Sequence, residues 1–353
     1  MEMTRRIPFL NEFEQGGCFE AFTNLVRNHD ELVLLFRGNS GTNGEAIIYF
    51  CNNVVFKLAV SKDGKKGKII INYNHLRYTE KWQETIKEYA EMGFPLKDVN
   101  DIIPQKNYGI GYVCADVDLI GGKKIDQKYV ETLYEISRRI MSDYFCLDKK
   151  EKLIDRFRES FGVPQTGRAK PNYLEKINQQ TFFAATSKIK SGLFVYDLEY
   201  KEPFVDSEKK SEAMKAKKRK KMNKPDCLAI RFDEAGQPIS FAFVEMKSKK
   251  EAEEGKSGTG EHLDGMMDDL LDKDFVRLRI IEANQIIHDY QTLELKGIKS
   301  SDRIPNIEDY IDVMKTEIIV VYTDDSTKGR TPGQYIAESS KYKEGIPYSV
   351  ELF

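Results

Sequence analysis

Between Pro225 and Lys247 the chain reads as two apolar strands joined by a turn, with charge gathered at one end of both. Asp226 opens Cys227-Leu228-Ala229-Ile230, and Phe241-Ala242-Phe243-Val244 runs straight into Glu245-Met246-Lys247. Runs this apolar belong in the interior of a sheet, so the fold must bury the strands and still accommodate their charged end. Side chains alternate between the faces of a strand. Glu245 and Lys247 therefore share one face with Phe241 and Phe243, while Val244 and Met246 take the other. A neighbouring strand beginning at Asp226 sets a second carboxylate beside them. Two carboxylates and an ammonium at the end of a buried strand pair are expensive to assemble without a compensating partner. A hard divalent cation is such a partner, since it takes oxygen ligands from one or two carboxylates together with water and phosphate. The pattern points to metal-dependent hydrolysis of phosphodiesters.

Composition mainly removes alternatives. A length of 353 residues fits about two domains, and 40% hydrophobic residues is ordinary for a soluble globular protein. No apolar run is long enough to span a bilayer and no secretory leader is read at the N-terminus. A cytoplasmic location with no membrane partner is expected. Cys18, Cys51, Cys114, Cys146 and Cys227 are scattered, with no Cys-x-x-Cys pair, which speaks against a zinc site or a disulfide framework. The four histidines, His29, His75, His262 and His288, are far apart in sequence. A net charge of −2 gives no global sign of a polyanion partner, so any such sign must come from local clusters.

Apolar patterning predicts an α/β chain of the two-domain α+β kind, divided into residues 1–165 and 166–353. The first part reads as a small antiparallel β-meander over Leu32–Arg37, Glu45–Cys51, Val54–Val60 and Lys68–Asn72, followed by helices over Trp82–Met92 and Gln127–Phe161. Arg37, Asn39, Lys57, Asn72, Tyr73, His75, Arg77 and Tyr78 interleave basic, polar and aromatic groups. They suit a nucleic-acid contact and an ordinary polar sheet face equally. A recognition, sensor or interaction module would look alike here. Beyond the Gly162–Pro171 boundary the order is a helix over Asn172–Lys190, strands over Leu193–Tyr200, Asp226–Phe232 and Ile239–Ser248, a long helix over Glu261–Leu295, and a strand over Glu317–Thr323.

That order, with Asp226 on the second strand and Glu245-x-Lys247 on the third, resembles the PD-(D/E)xK nuclease superfamily over roughly residues 170–325. The resemblance implies a restriction-endonuclease-like αβββαβ core with a central mixed sheet. It also implies a catalytic set of Asp226, Glu245 and Lys247. Asp226, Glu245 and the Met246 carbonyl would hold Mg²⁺, with Mn²⁺ as a substitute, and Lys247 would stand near the attacking water and the scissile phosphate. A glutamate on the first core helix often completes such a site, and Glu175 is the one carboxylate within Asn172–Lys190. The bland reading of Glu245 and Lys247 is a surface ion pair of little energetic weight.

Two loops flank these strands. Lys217, Lys218, Arg219, Lys220 and Lys221 feed directly into Asp226. Such a run is either a solvated linker or a cationic flap that binds backbone phosphates without reading bases. Lys249 and Lys250 open the second loop, which is followed by His262 and Asp264 at a helix start, where they either approach the metal site or merely cap the helix. Arg277 and Arg279 read as surface residues within reach of phosphate. Gly255-Lys256-Ser257 is not a phosphate-binding loop, because Lys250 stands where the leading glycine belongs. The expected activity is a metal-dependent endonuclease, DNA ahead of RNA, in a restriction or defence setting, with a homodimer left open. The alternative is a catalytically inactive nucleic-acid-binding or assembly protein on the same fold.

Overall fold

The computed structural model describes residues 9–39, 42–50, 53–61, 65–72, 82–94, 112–118, 124–145, 179–180, 182–186, 189–190, 192–198, 225–247, 263, 266–267, 269–322 and 348–352. The chain is of mixed α/β class and divides into two compact units, one of Ile7–Gly38 with Thr42–Tyr173 and one built on Leu174–Phe353.

In the first unit, helix α1 (Glu20–Asn28) precedes strands β1 (Leu32–Asn39), β2 (Thr42–Phe50), β3 (Asn53–Val60) and β4 (Lys66–Asn72). Helix α2 (Trp82–Glu91), strand β5 (Tyr112–Asp118) and helix α3 (Gln127–Phe145) follow. The strands lie in sequence order, β1-β2-β3-β4-β5, and β2/β3, β3/β4 and β4/β5 pair antiparallel. Alternation decides which face is covered: Gly67, Ile69 and Ile71 of β4 are buried while Lys66 and Lys68 are exposed. Phenylalanines fill the space beneath. Phe13 meets Phe36 edge-on at 5.6 Å, and Phe22 meets Phe56 in the same manner at 5.6 Å. Strand β5 went unread in the sequence because two aspartates interrupt Tyr-Val-Cys-Ala-Asp-Val-Asp, and aspartate is depleted in strands. Its full-length pairing with β4 overrides that local preference. Lys57 pairs with Glu45 at 3.3 Å and the Asn72 amide donates to the Val54 carbonyl at 3.0 Å. Both therefore act within the sheet. Tyr73, His75, Arg77 and Tyr78 lie outside the described residues, as does the expected α3 continuation to Phe161.

The second unit is organised on a five-stranded mixed sheet. Residues 179–180 and 182–185 are helical (α4) and precede β6 (Gly192–Leu198), β7 (Cys227–Phe232) and β8 (Pro238–Lys247). Helix α5 (Lys273–Thr292) then leads to β9 (Lys315–Tyr322) and β10 (Tyr348–Leu352). The order is β10-β9-β8-β7-β6, with β6/β7 and β7/β8 antiparallel and β8/β9 and β9/β10 parallel. A parallel neighbour needs a crossover, and α5 supplies it between β8 and β9. Strand β8 is buried at every position except Ile239, as expected for a central strand covered on both faces. Phe243 stacks edge-on against Phe241 at 5.5 Å and against Phe275 of α5 at 6.0 Å, so α5 covers the face that also bears Glu245 and Lys247. At the opposite end of β8 a polar clamp crosses three strands. Arg231 of β7 holds both Glu317 oxygens of β9 at 2.8 and 3.3 Å, and Ser240 of β8 donates to the same carboxylate.

The long helix expected over Glu261–Leu295 is interrupted. Asp272 adopts an extended conformation and caps α5 by accepting from the Asp274 and Phe275 N–H groups, which satisfies donors that no preceding turn reaches. The apolar spacing continued through this break because Leu263, Met267 and Leu270 are buried as well. The β7–β8 turn closes on Gly236, whose φ is +78°. There an added Cβ would stand 3.2 Å from the Ile189 carbonyl oxygen. Gly236→Ala is expected to destabilise the chain by about 1–2 kcal/mol, readable as a shifted urea midpoint with an unchanged m-value.

Candidate active site

Register brings the sequence-predicted trio together. Cys227 pairs with Val244 at the end of the β7/β8 ladder, so its continuation sets Asp226 opposite Glu245. The half-buried Asp226 lies just before β7 and takes over where that ladder stops. Its Oδ2 accepts the Met246 N–H at 2.7 Å. A strand residue turns its N–H and C=O to the same side, so the Met246 carbonyl also faces the Asp226 side. Asp226 Oδ1 accepts the side-chain amide of Gln179, from α4, at 2.6 Å. On the α5-covered face, Lys247 Nζ donates to Glu245 Oε1 at 2.6 Å.

Burial decides the weight of this pair. Glu245 is 1% exposed and Lys247 8%. A surface ion pair contributes roughly 0–1 kcal/mol, whereas removing one partner of a buried pair costs about 3–5 kcal/mol. The surface reading of Glu245 and Lys247 is therefore set aside. The two carboxylates also share a local field. Burial, the largest cause, pushes the Cys227 thiol well above its ordinary range, and the charges of Asp226, then Asp197 and Glu245, add to that rise while Lys296 opposes it.

The candidate donors that the register sets at this end of β8 are all oxygen: the Asp226 and Glu245 carboxylates and the Met246 carbonyl. That set fits a hard cation of the Mg²⁺ type by donor chemistry. Among the described residues no group of three His, Cys, Asp or Glu side chains is placed to hold a metal. Glu175, Lys217, Lys218, Arg219, Lys220, Lys221, Lys249, Lys250, His262 and Asp264 lie outside the described residues. Arg277 is exposed, as read from sequence. Arg279 is not: it is 2% exposed and pairs with Glu282, one turn along α5, at 2.9 Å. It is thus committed to the interior and removed from the phosphate-contact set. Among the described residues no helix is long and apolar enough to cross a membrane.

Gln179 is the residue that sequence reasoning missed. It stands four positions after Glu175 in sequence, the spacing of one turn in the helix expected there, but the expected ligand was a carboxylate, and an amide carries no charge to flag it. A second missed residue is Lys296. Its amino group donates to the carbonyls of Phe183 and Val195 at 2.6 Å each and to that of Thr186 at 3.4 Å. It lies 3.4 Å from the centroid of the Phe183 ring. Burial holds its pKa well below the ordinary lysine value of 10.5. The folded chain then binds fewer protons at Lys296 than the unfolded chain does, so stability rises with pH above the depressed value. The window closes near the ordinary thiol value of 9.0, where Cys227, with its raised pKa, begins to act in the opposite direction. Urea unfolding at several pH values below 9 is expected to show a positive slope of up to about 1.4 kcal/mol per pH unit in wild type. Lys296→Met should lack that contribution, and parallel curves for the two proteins would remove it.

Compared with protein-family models, curated proteins and solved structures, the chain matches none of them.

Proposed function

We propose that the chain is a Mg²⁺-dependent nuclease, with Mn²⁺ as a substitute, that cleaves DNA endonucleolytically from a restriction-endonuclease-like core. The observation that carries this reading is the Glu245–Lys247 pair, buried at the end of the central strand beside Asp226. The order α4-β6-β7-β8-α5-β9 around it agrees with such a core. Asp226, Glu245 and the Met246 carbonyl would hold the cation, which when bound supplies acidification of water and neutralisation of phosphate oxygens. The chain's own residues do the rest. Gln179 and the Met246 N–H fix the Asp226 carboxylate by one hydrogen bond to each oxygen. Glu245 in turn holds Lys247, keeping a positive charge at the edge where charge develops on the scissile phosphate. The basic stretch from Lys217 to Lys221 is assigned to sequence-independent phosphate binding. The test is incubation of the protein with plasmid, linear DNA and RNA in Mg²⁺, Mn²⁺ or chelator. Cleavage of closed circular plasmid only with a metal supports the proposal, and no cleavage of any substrate under any condition ends it.

One observation favours the second reading, a non-catalytic nucleic-acid-binding or assembly protein. Both Asp226 oxygens and one Glu245 oxygen are engaged by the chain's own donors, as in a polar network kept for structure. The two readings part on metal titration. A cation that binds the folded state alone raises the unfolding temperature with concentration. A flat response to Mg²⁺ and Mn²⁺ moves the binding-protein reading ahead.

A further inference from the structure

Lys296 and Gln179 bond at opposite ends of the described part of α4. The described part of α4, residues 179–180 and 182–185, spans less than two turns, too few to hold itself in water, and its Phe182 and Phe183 are buried. Apolar packing is non-directional and leaves the rotation and register of such a helix loosely set. Directional bonds fix them. At the far end the Lys296 amino group donates to the carbonyls of Phe183 and Thr186, in the last described turn of α4, where helix carbonyls call for donors from outside the helix. It also holds the Val195 carbonyl of β6, beside the bulge between Val195 and Asp197. The Val195 N–H returns to the Thr186 carbonyl at 3.1 Å, closing the clamp. At the near end Gln179 delivers its amide to Asp226.

The backbone that supplies Lys296 is built for this delivery. Helix α5 ends with the Leu295 N–H on the Tyr290 carbonyl and the Glu294 N–H on that of Gln291, a Schellman closure. Glu294 and Lys296 have φ of +48° and +54°, a left-handed conformation that disfavours side-chain-bearing residues. A strained segment that turns a lysine onto three interior carbonyls is a feature the surrounding structure has to hold in place.

We propose that Lys296 is a positioning residue for the Asp226 site, fixing the register of α4 so that Gln179 meets the Asp226 carboxylate. The inference rests on the nuclease reading for its catalytic consequence, but not for its geometric content. A shift of about 1 Å at a supporting element is enough to lose a short hydrogen bond and much of a site's rate.

The experiment is ¹⁵N NMR of the side-chain amides in the full chain. The Gln179 carboxamide, assigned by its loss in Gln179→Ala, is expected to be displaced from the free-glutamine position and slow to exchange. In Lys296→Met, which keeps an apolar stem against Phe183, that resonance should return to the free position with the β7 and β8 backbone amides unchanged. A displaced, slowly exchanging resonance in folded Lys296→Met overturns the proposal. If Lys296→Met does not fold, native-state exchange in wild type decides it. The Gln179 carboxamide and the Val195 N–H are expected to open with the same free energy, and a Gln179 that opens while Val195 stays protected overturns the proposal. In a cleavage assay Lys296→Met and Gln179→Ala should each lower kcat by about tenfold with KM unchanged, and the double variant should fall no further. Additive losses overturn action through Gln179. A wild type that cleaves nothing ends the nuclease reading and leaves the resonance to decide the role of Lys296.

Discussion

Asp226→Asn is expected to lower phosphodiester cleavage by about a thousandfold while the fold is kept. The loss is large because the substitution removes one of two charges assigned to the cation, and electrostatic and metal contributions dominate this chemistry. The fold survives because the asparagine oxygen still accepts the Met246 N–H, while Gln179 rotates its carboxamide to offer an oxygen to the new amide. Substitution by alanine would be less informative, since it strands the donors of Gln179 and Met246. Circular dichroism and urea unfolding establish the retained fold, and a plasmid-nicking time course reads the rate. Turnover within about tenfold of wild type would remove Asp226 from the mechanism.

The second large effect is on stability. Glu245→Gln and Lys247→Met, made singly, are each expected to destabilise the chain by about 3–5 kcal/mol, because each leaves the other charge buried without its counter-ion. The double variant Glu245→Gln/Lys247→Met should recover most of that loss, since no charge is then stranded. The measurement is a double-mutant cycle by urea unfolding at constant pH and salt. Single-variant losses under about 1 kcal/mol would match a solvated pair and contradict the burial on which the proposed site depends.

What could be read from the sequence follows from how local each signal is. The β7 and β8 runs, and the sharing of a face by Glu245 and Lys247, follow from alternation along a few residues. These needed no knowledge of the rest of the chain. Strand β9 was open to reading as an apolar run after a helix, while its parallel pairing with β8 is supplied by the structure. Strand β10 was not read, since Tyr348–Leu352 is five residues long and gives periodicity little to work with. The break at Asp272 was hidden because one apolar stripe serves both sides of it. Arg279 and Lys296 show the deeper limit. A charge in sequence is assigned to solvent by default, yet Arg279 finds Glu282 one turn on and Lys296 finds carbonyls more than 100 residues away. Only the tertiary arrangement supplies the second kind of partner. Gln179 belongs with them, since its amide acquires a role only once α4 is laid against Asp226.

The mixed direction of the sheet around β8 also sets an order of assembly. Asp226 and Met246 are 20 residues apart and come together when one hairpin closes, so this part of the site forms at the low entropic cost of a short loop. Strand β9 can pair with β8 only after the intervening α5 segment has been laid down, a much longer closure and a slower step. Between the two events the nascent hairpin carries Asp226 in place, with the β9 edge of β8 open and its apolar groups exposed. That interval is when the chain is most prone to pair with a second copy of itself. The Arg231–Glu317 clamp, which spans the finished strands, forms only when it ends.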